Sequence, residues 1–309
     1  MRSALVRHER TALCSHSMPA PSSACGGSRR PFHAGAPARL ARQRGSPPGG
    51  AAPATVVVPG TMQQRDEQAD EAKAVHLNAF LTKIYSTTGW GVLGLLGSAQ
   101  LLTVSGLAFA MPMPLLGVGL VGGIGSSMAM AKMAPMYTAV PGEGLVAVDS
   151  AARKAAYAGL VGSFGCLAAP MFGLVSLSNP TIIPAAAVAS IATMSGAALY
   201  ALNAGMGKDG EAISAWGPAL TGGLFGLIGV GVGGMGCSYL GYHEAAAALH
   251  SISTYGGVVL FAGLTAYDTR VALEMHAAGQ PDHLGAASQL FMNFANLFTR
   301  FMAIFYDQD

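Results

Sequence analysis

The main candidate for a chemical role in this sequence is an acidic residue inside an apolar segment. Asp268 stands in the apolar stretch 249–273, and Arg270 follows two positions later. Ionisable side chains are costly in hydrocarbon and often mark a pathway for ions or protons. Two positions on a helix turn the side chains about 200° apart, so Asp268 and Arg270 do not face each other. Asp268 therefore needs a proton, a cation or a hydrogen-bonding partner. It is either part of an ion-binding site or the acceptor of a purely structural hydrogen bond between helices.

Three further polar side chains in apolar stretches are candidates for a role beside Asp268. We expect Lys132 and Asn293 to share its depth, in the half of the membrane nearer the N-terminal side. Lys132 is a potential counter-charge, although a lysine near the end of a span also reaches lipid headgroups. Arg270 can extend to the interface in the same way, and Arg300 is either a further functional charge or an anchor of the last helix.

Histidines and acids also gather in two groups outside the apolar stretches. Their members are His243, Glu244, His250, Glu274, His276, Asp282 and His283. Neither group has a metal-ligand spacing such as HExxH. We interpret both as solvated loop residues that form at most a weak, cation-collecting rim. No nucleophile and base stand at a catalytic spacing, so we expect neither an enzyme nor a resident cofactor.

The composition of the chain excludes a soluble protein domain. Of 309 residues, 51% are hydrophobic and 10% are charged, whereas soluble domains carry about 25% charged residues. Seven apolar stretches are each near or above the ~20 residues that a membrane-spanning helix needs. They cover 84–110, 114–136, 155–177, 180–203, 213–240, 249–273 and 286–306. We predict an all-α membrane protein with about seven transmembrane helices, of which the last is either a full span or a central, re-entrant segment.

Glycine-rich stretches inside these segments match the G-x-G-x-x-G pattern at 117–122 and 229–234. A dinucleotide site also needs a preceding strand and a soluble βαβ unit, and the apolar context predicts neither. Small residues four positions apart instead let membrane helices approach closely. We therefore predict helix packing through the pairs Gly119/Gly123, Gly222/Gly226 and Gly229/Gly233.

Residues 1–60 differ from the rest of the chain in charge. They hold eight arginines and one acid, a net charge of +7, whereas the remaining residues sum to −5. An Arg-, Ser- and Ala-rich segment poor in acids is typical of an organellar transit peptide, here followed by a linker and cleaved at a bond within the segment. A disordered basic tail is the alternative, and the lack of interleaved aromatic residues argues against a nucleic-acid arm. We expect a surface helix at 61–83 and a membrane domain at 84–309.

The loops predict the orientation of that domain. The lysines and arginines between apolar stretches fall on the side of the membrane that holds the N-terminal segment, which we call the near side; the opposite face is the far side. By the positive-inside rule the near side is the matrix or its equivalent in another organelle.

Three segments resemble a known family. They are Phe80–Tyr85 (FLTKIY), Tyr255–Arg270 (YGGVVLFAGLTAYDTR) and Leu290–Arg300 (LFMNFANLFTR). This pattern is similar to the Bax-inhibitor-motif (TMBIM) family, and together with the basic N-terminal segment it resembles the mitochondrial branch of that family.

The resemblance implies six helices around a central seventh. It also implies a calcium-permeable, pH-sensitive channel or calcium/proton exchanger of the mitochondrial inner membrane, with Ca²⁺ and H⁺ as transported ions. Asp268 would be the titrating residue that contacts calcium transiently, while Asn293 stands where the family has a second aspartate. Lys132 would correspond to the family's basic residue of the second span, and Arg270 replaces a glutamine.

Other readings of the resemblance remain open. One is a non-conducting protein that organises cristae or regulates apoptosis through inner-membrane partners. A plastid or endoplasmic-reticulum membrane is the alternative location.

Overall fold

The computed structural model describes residues 62–140, 144–205 and 208–308. The predicted transit peptide and linker lie outside these residues. The described part of the chain forms nine helices and one two-stranded hairpin. In chain order the elements are α1 (Met62–Val104), α2 (Leu107–Ala110), α3 (Pro112–Lys132), β1 (Met136–Val140), β2 (Gly144–Val148), α4 (Ala151–Ser178), α5 (Ile182–Ala204), α6 (Lys208–Ser214), α7 (Gly217–Tyr239), α8 (His243–Ala277) and α9 (His283–Tyr306).

Five segments are long and apolar enough to cross a membrane. They are α3, α4, α5, the combined segment Gly210–Tyr239 and α8. The prediction of an all-α membrane protein is therefore confirmed, with the small hairpin as the exception to its helical content. We interpret α1 and α9, which are less apolar, as the first and last of the seven predicted crossings.

Helix α9 forms the centre of the bundle. It packs against α1, α4, α5 and α8, and half of its 24 residues are buried. Three of its aromatic side chains, Phe291, Phe294 and Phe298, are almost completely buried. The expectation of a central last helix is met, because four other helices pack against this helix and bury half of its residues.

The first helix is continuous where the sequence predicted two segments. The expected surface helix at 61–83 and the first span form the single helix α1, since no proline interrupts 62–104. The predicted end of that span at residue 110 is replaced by a break at Gly106, which has φ of 76° and separates α1 from α2. Only glycine adopts this backbone conformation without strain.

A short antiparallel hairpin on the near side was not predicted. Strand β1 pairs with β2 in the register Met136 with Val148 and Val140 with Gly144. Five-residue strands next to an apolar span carry too short an alternating pattern to stand out from the span itself. The hairpin ends at Val148, and the next residue, Asp149, belongs to the site described below.

The predicted glycine pairs behave differently on α3 and α7. A Cβ at Gly119 would lie 2.8 Å from the Ser163 carbonyl oxygen of α4, so this glycine permits close packing of α3 on α4. On α7, Gly222, Gly226 and Gly229 have no neighbouring side chain within 4 Å. Helix α7 buries no residue and packs on α8, so its glycine-rich face is open.

Candidate functional site

A hydrogen bond between α8 and α9 joins the acid and the amide that the sequence placed at one depth. The Asn293 Nδ2 donates to Asp268 Oδ2 at 2.7 Å. Asn293 is buried with 5% of its surface exposed, whereas Asp268 is partly exposed. An amide N–H stabilises an ionised carboxylate by a charge-assisted hydrogen bond. The second carboxylate oxygen, Oδ1, is left for another ligand.

The exposed part of Asp268 lines a cavity of about 490 Å³. The other lining residues come from the near-side ends of α3, α4, α8 and α9. They include Ser127, Met130, Arg153, Met275, Asp282, Ser288, Gln289 and Met292. The cavity therefore extends from the near-side loops to Asp268.

The loop end of this cavity is formed by a buried arginine between two acids. Arg153 Nη1 binds Asp149 Oδ1 at 2.5 Å, and its Nη2 binds Asp282 Oδ2 at 2.5 Å. The side chains of Arg153 and Asp149 are only 4% and 1% exposed, so both charges are shielded from water. This ion triad ties the end of the hairpin and the first turn of α4 to the loop between α8 and α9.

His283 extends the triad. Its Nε2 lies 3.1 Å from Asp149 Oδ2. Burial lowers the pKa of the His283 imidazole by more than the Asp149 carboxylate raises it, and Lys83 lowers it further. Neutral imidazole still donates an N–H to the carboxylate. The interpretation of Asp282 and His283 as solvated loop residues is therefore wrong, because both are partly buried: Asp282 pairs with Arg153, and His283 contacts the Asp149 carboxylate.

The first histidine and acid group does lie at the surface. His243, Glu244 and His250 at the far-side end of α8 are exposed. No group of three or more His, Cys, Asp or Glu side chains in the described parts of the chain could hold a metal ion.

Arg270 points away from the pair. Its Nε binds Glu274 Oε1 at 2.9 Å, and its Nη1 donates to the Gly205 carbonyl at the end of α5. Ser214 of α6 donates to the same Glu274 oxygen at 2.6 Å. With 3% of its surface exposed, Arg270 does not extend to the interface as the sequence suggested; it joins α8 to the segment between α5 and α7.

The structure does not bring Lys132 to the pair. Lys132 is the last residue of α3 and is exposed, whereas its neighbours Met130, Ala131 and Met133 line the cavity. A counter-charge for Asp268 from this lysine would therefore require a different conformation of its side chain.

Arg300 is turned inward, toward α8. Its Nη1 donates to the Ser253 carbonyl at 2.9 Å, and its guanidinium lies over the Phe261 ring, 5.2 Å from the ring centre. An arginine that anchors a helix in headgroups would extend outward instead. The structure thus assigns Arg300 to the helix interface between α8 and α9, a position that spacing alone did not specify.

The oxygen atoms at the pair set a limit on cation binding. Calcium takes six to eight oxygen ligands in its stable protein sites. Asp268 lines the cavity, whereas the buried Asn293 is not among its lining residues, so Ser288, Gln289 or water would have to supply the remaining oxygen ligands. A site with so few protein ligands favours transient contact with a cation over stable cation binding.

Neither the curated proteins nor the solved structures include a match to this chain. The family model described as "Inhibitor of apoptosis-promoting Bax1" matches residues 77–309, well over half of the chain. The matched region contains the second half of α1, every later helix and both members of the Asp268–Asn293 pair. The chain therefore belongs to the Bax-inhibitor family of membrane proteins.

Proposed function

We propose that this protein is a calcium-permeable, pH-sensitive channel or calcium/proton exchanger in which Asp268 is the titrating group. One observation carries this proposal: a cavity from the near side ends on the partly exposed Asp268, inside an apolar bundle. A structural carboxylate would be enclosed by its partners, whereas Asp268 is partly exposed and lines the cavity. Family membership supports a role as a membrane channel or regulator and not as an enzyme.

Competition between a proton and a cation gives the pathway its pH dependence. The ionised Asp268 attracts Ca²⁺ into the cavity, and the Asn293 amide holds the carboxylate in place. Protonation of Asp268 removes the negative charge and with it the attraction. A cation that leaves toward the far side while a proton takes its place completes an exchange, whereas passage without proton transfer is a leak.

The mitochondrial inner membrane is the proposed location. The +7 charge of residues 1–60 and the resemblance to the mitochondrial branch support it, and the near side would then face the matrix. Fractionation of cells that express the chain with a C-terminal tag tests the location. Retention in the endoplasmic reticulum or the plastid would contradict it.

The function is tested by calcium flux into vesicles that contain the purified full chain, at pH 6 and pH 8. We expect Asp268→Asn to lower the flux about tenfold or more, equivalent to roughly 1.4 kcal/mol of lost cation binding, and to flatten its pH dependence. Glu244→Gln, an exposed acid on the same helix, is the matched control and should leave both unchanged. Unaltered flux in a folded Asp268→Asn protein would remove the assignment.

A non-conducting, membrane-organising protein is the second candidate function. The open face of α7 favours it, because glycines without neighbours on a membrane helix suit close approach by another helix. In that case the purified chain conducts nothing at either pH, and deletion still alters cristae or apoptotic sensitivity.

A further inference from the structure

Arg300 lies on the same side of α9 as Asn293, toward the far side of the membrane. Seven residues separate them, which is two helical turns or about 10 Å. Helical side chains lean toward the N-terminus of their helix, and the N-terminus of α9 is at the near side. The guanidinium nevertheless contacts Ser253, Gly257 and Phe261, which precede Asp268 by fifteen, eleven and seven residues on α8, so it lies on the far side of Asp268.

The α8 surface that receives Arg300 is shaped for it. A Cβ at Gly257 would lie within 2.6 Å of Arg300 Cδ and even closer to Nε and Cζ, so the arginine stem rests directly on the α8 backbone. Phe261, one turn further along α8, is buried and presents its ring to the guanidinium. Asp268 follows Phe261 by another seven residues.

Within the described ranges of the chain, no carboxylate pairs with the positive charge of Arg300. The ion pairs recorded among the described residues involve Arg153, Arg270 and His283, and not Arg300. Its Nε is buried without a hydrogen-bond acceptor. A guanidinium remains protonated in proteins. Its charge is therefore met by one carbonyl oxygen and one aromatic face.

Along α8, two cavities lie on either side of the segment that Arg300 contacts. The near-side cavity ends at Asp268. A far-side cavity of about 370 Å³ between α7 and α8 includes Ser253, the residue whose carbonyl accepts the Arg300 hydrogen bond. Along α8, Phe261 and the residues that Arg300 contacts lie between the two cavities, so a cation that moved along this face of α8 toward the far side would pass them.

We propose that Arg300 is the far-side gate of the pathway, a fixed positive charge that closes the Asp268 site to the far side until the guanidinium leaves Phe261 and Ser253. This inference rests on the proposed cation pathway through Asp268. Arg300 would also disfavour divalent more than monovalent cations, because repulsion grows with the charge of the ion.

Flux measurements on the reconstituted full chain test the gate. We expect Arg300→Gln to raise calcium flux about tenfold or more, because the like charge opposing the ion is removed. Arg300→Lys keeps the charge and should stay within about twofold of wild type, the spread that we allow for context. Arg270→Gln is the matched control, because Arg270 is also a buried arginine but is paired with Glu274 at the near side. This variant should not raise the calcium flux. Phe261→Leu, which removes the ring and keeps the apolar volume, should raise the flux as well.

Labelling provides a readout that does not require conduction. In a chain whose native cysteines are replaced by serine, Gln289→Cys places a thiol at the near-side cavity. A cationic, membrane-impermeant thiol reagent should modify it from the near side in every variant, and from the far side only with Arg300→Gln or Phe261→Leu.

The outcomes separate this inference from the proposed function. The gate alone is overturned by one combination of results. Wild-type flux depends on Asp268, but the folded Arg300→Gln and Phe261→Leu proteins show unchanged flux and no far-side labelling. Absence of wild-type flux overturns the proposed function, and the labelling experiment then tests the gate by itself. Far-side labelling that is confined to the two variants supports the gate. Equal labelling in all chains overturns the gate. If Arg300→Gln does not fold, Phe261→Leu decides by the same two measurements.

Discussion

Asn293 donates a hydrogen bond of 2.7 Å to Asp268 across the α8–α9 interface, so an amide occupies the position next to the buried acid. A carboxylate beside an amide titrates once. Two carboxylates at this distance share a proton and titrate as a coupled pair.

Replacement of the amide by an acid tests this relationship. In Asn293→Asp we expect calcium flux to gain a second titration step with pH, because the pair then releases two protons in sequence. Flux is measured in vesicles from pH 5 to pH 9. Asn296→Asp is the matched control, since Asn296 donates to the carbonyl of Met292 in its own helix. A single step in both variants would show that the pair does not control the flux.

The ion triad predicts a large effect on stability. Arg153→Met leaves Asp149, 1% exposed, without its cation, and removal of one partner of a buried ion pair costs about 3–5 kcal/mol. Thermal unfolding in detergent measures the loss. Lys154→Met, at an exposed neighbouring position, should change stability by less than about 0.5 kcal/mol. Asp149→Asn in the Arg153→Met background should recover part of the loss, and no recovery would argue against the pair.

His283 predicts a pH-dependent contribution to stability. Its pKa is lowered in the folded protein, mainly by burial, so the unfolded chain binds more protons between the folded pKa and its unfolded value of about 6.5. The stabilising contribution is complete above about pH 6.5 and is lost as the pH falls toward the folded pKa. The charged groups around the imidazole are Asp149, Asp282, Arg153 and Lys83.

Unfolding temperatures of wild type and His283→Gln between pH 7.5 and pH 5 measure this contribution. The wild type should lose more stability than the variant as the pH falls. His243→Gln, at an exposed position of α8, should follow the wild-type curve. Parallel curves for wild type and His283→Gln would contradict the burial effect.

Two glycines on α4 predict opposite outcomes. A Cβ at Gly165 would lie 2.8 Å from Ser98 Cβ on α1 and closer still to its Oγ, whereas Gly162 has no neighbour within 4 Å. We expect Gly165→Ala to destabilise the α1–α4 contact by about 1–3 kcal/mol. Gly162→Ala should stay within about 0.5 kcal/mol of wild type. Equal unfolding temperatures for the two variants would rule out close packing at Gly165.

Much of the fold was predictable because lipid imposes simple rules. Apolar length predicted the spanning segments, and the family resemblance implied a central place for the last helix. The common depth of Asp268 and Asn293 followed from counting residues along antiparallel spans. Contact between them required the structure, since depth leaves rotation about each helix axis free.

The near-side cluster could not be derived in this way. Arg153 and Asp282 are 129 positions apart, and each looks like an ordinary loop or helix-end charge in the sequence. Their pairing depends on how the hairpin folds over the ends of α4 and α9, which is a tertiary effect. Lys132 failed to reach the pair for a related reason: the final turn of α3 points its methionines, and not its lysine, into the cavity.

The length of α8 has a consequence for the lipid environment of the protein. Its 35 residues span about 52 Å, well beyond a hydrocarbon core of about 30 Å. A helix longer than the bilayer tilts to keep its apolar surface in hydrocarbon. A change in bilayer thickness therefore changes the tilt of α8 and shifts Asp268 and Phe261 against the shorter α9. The acyl-chain length of the surrounding lipids therefore affects the contact between Arg300 and Phe261.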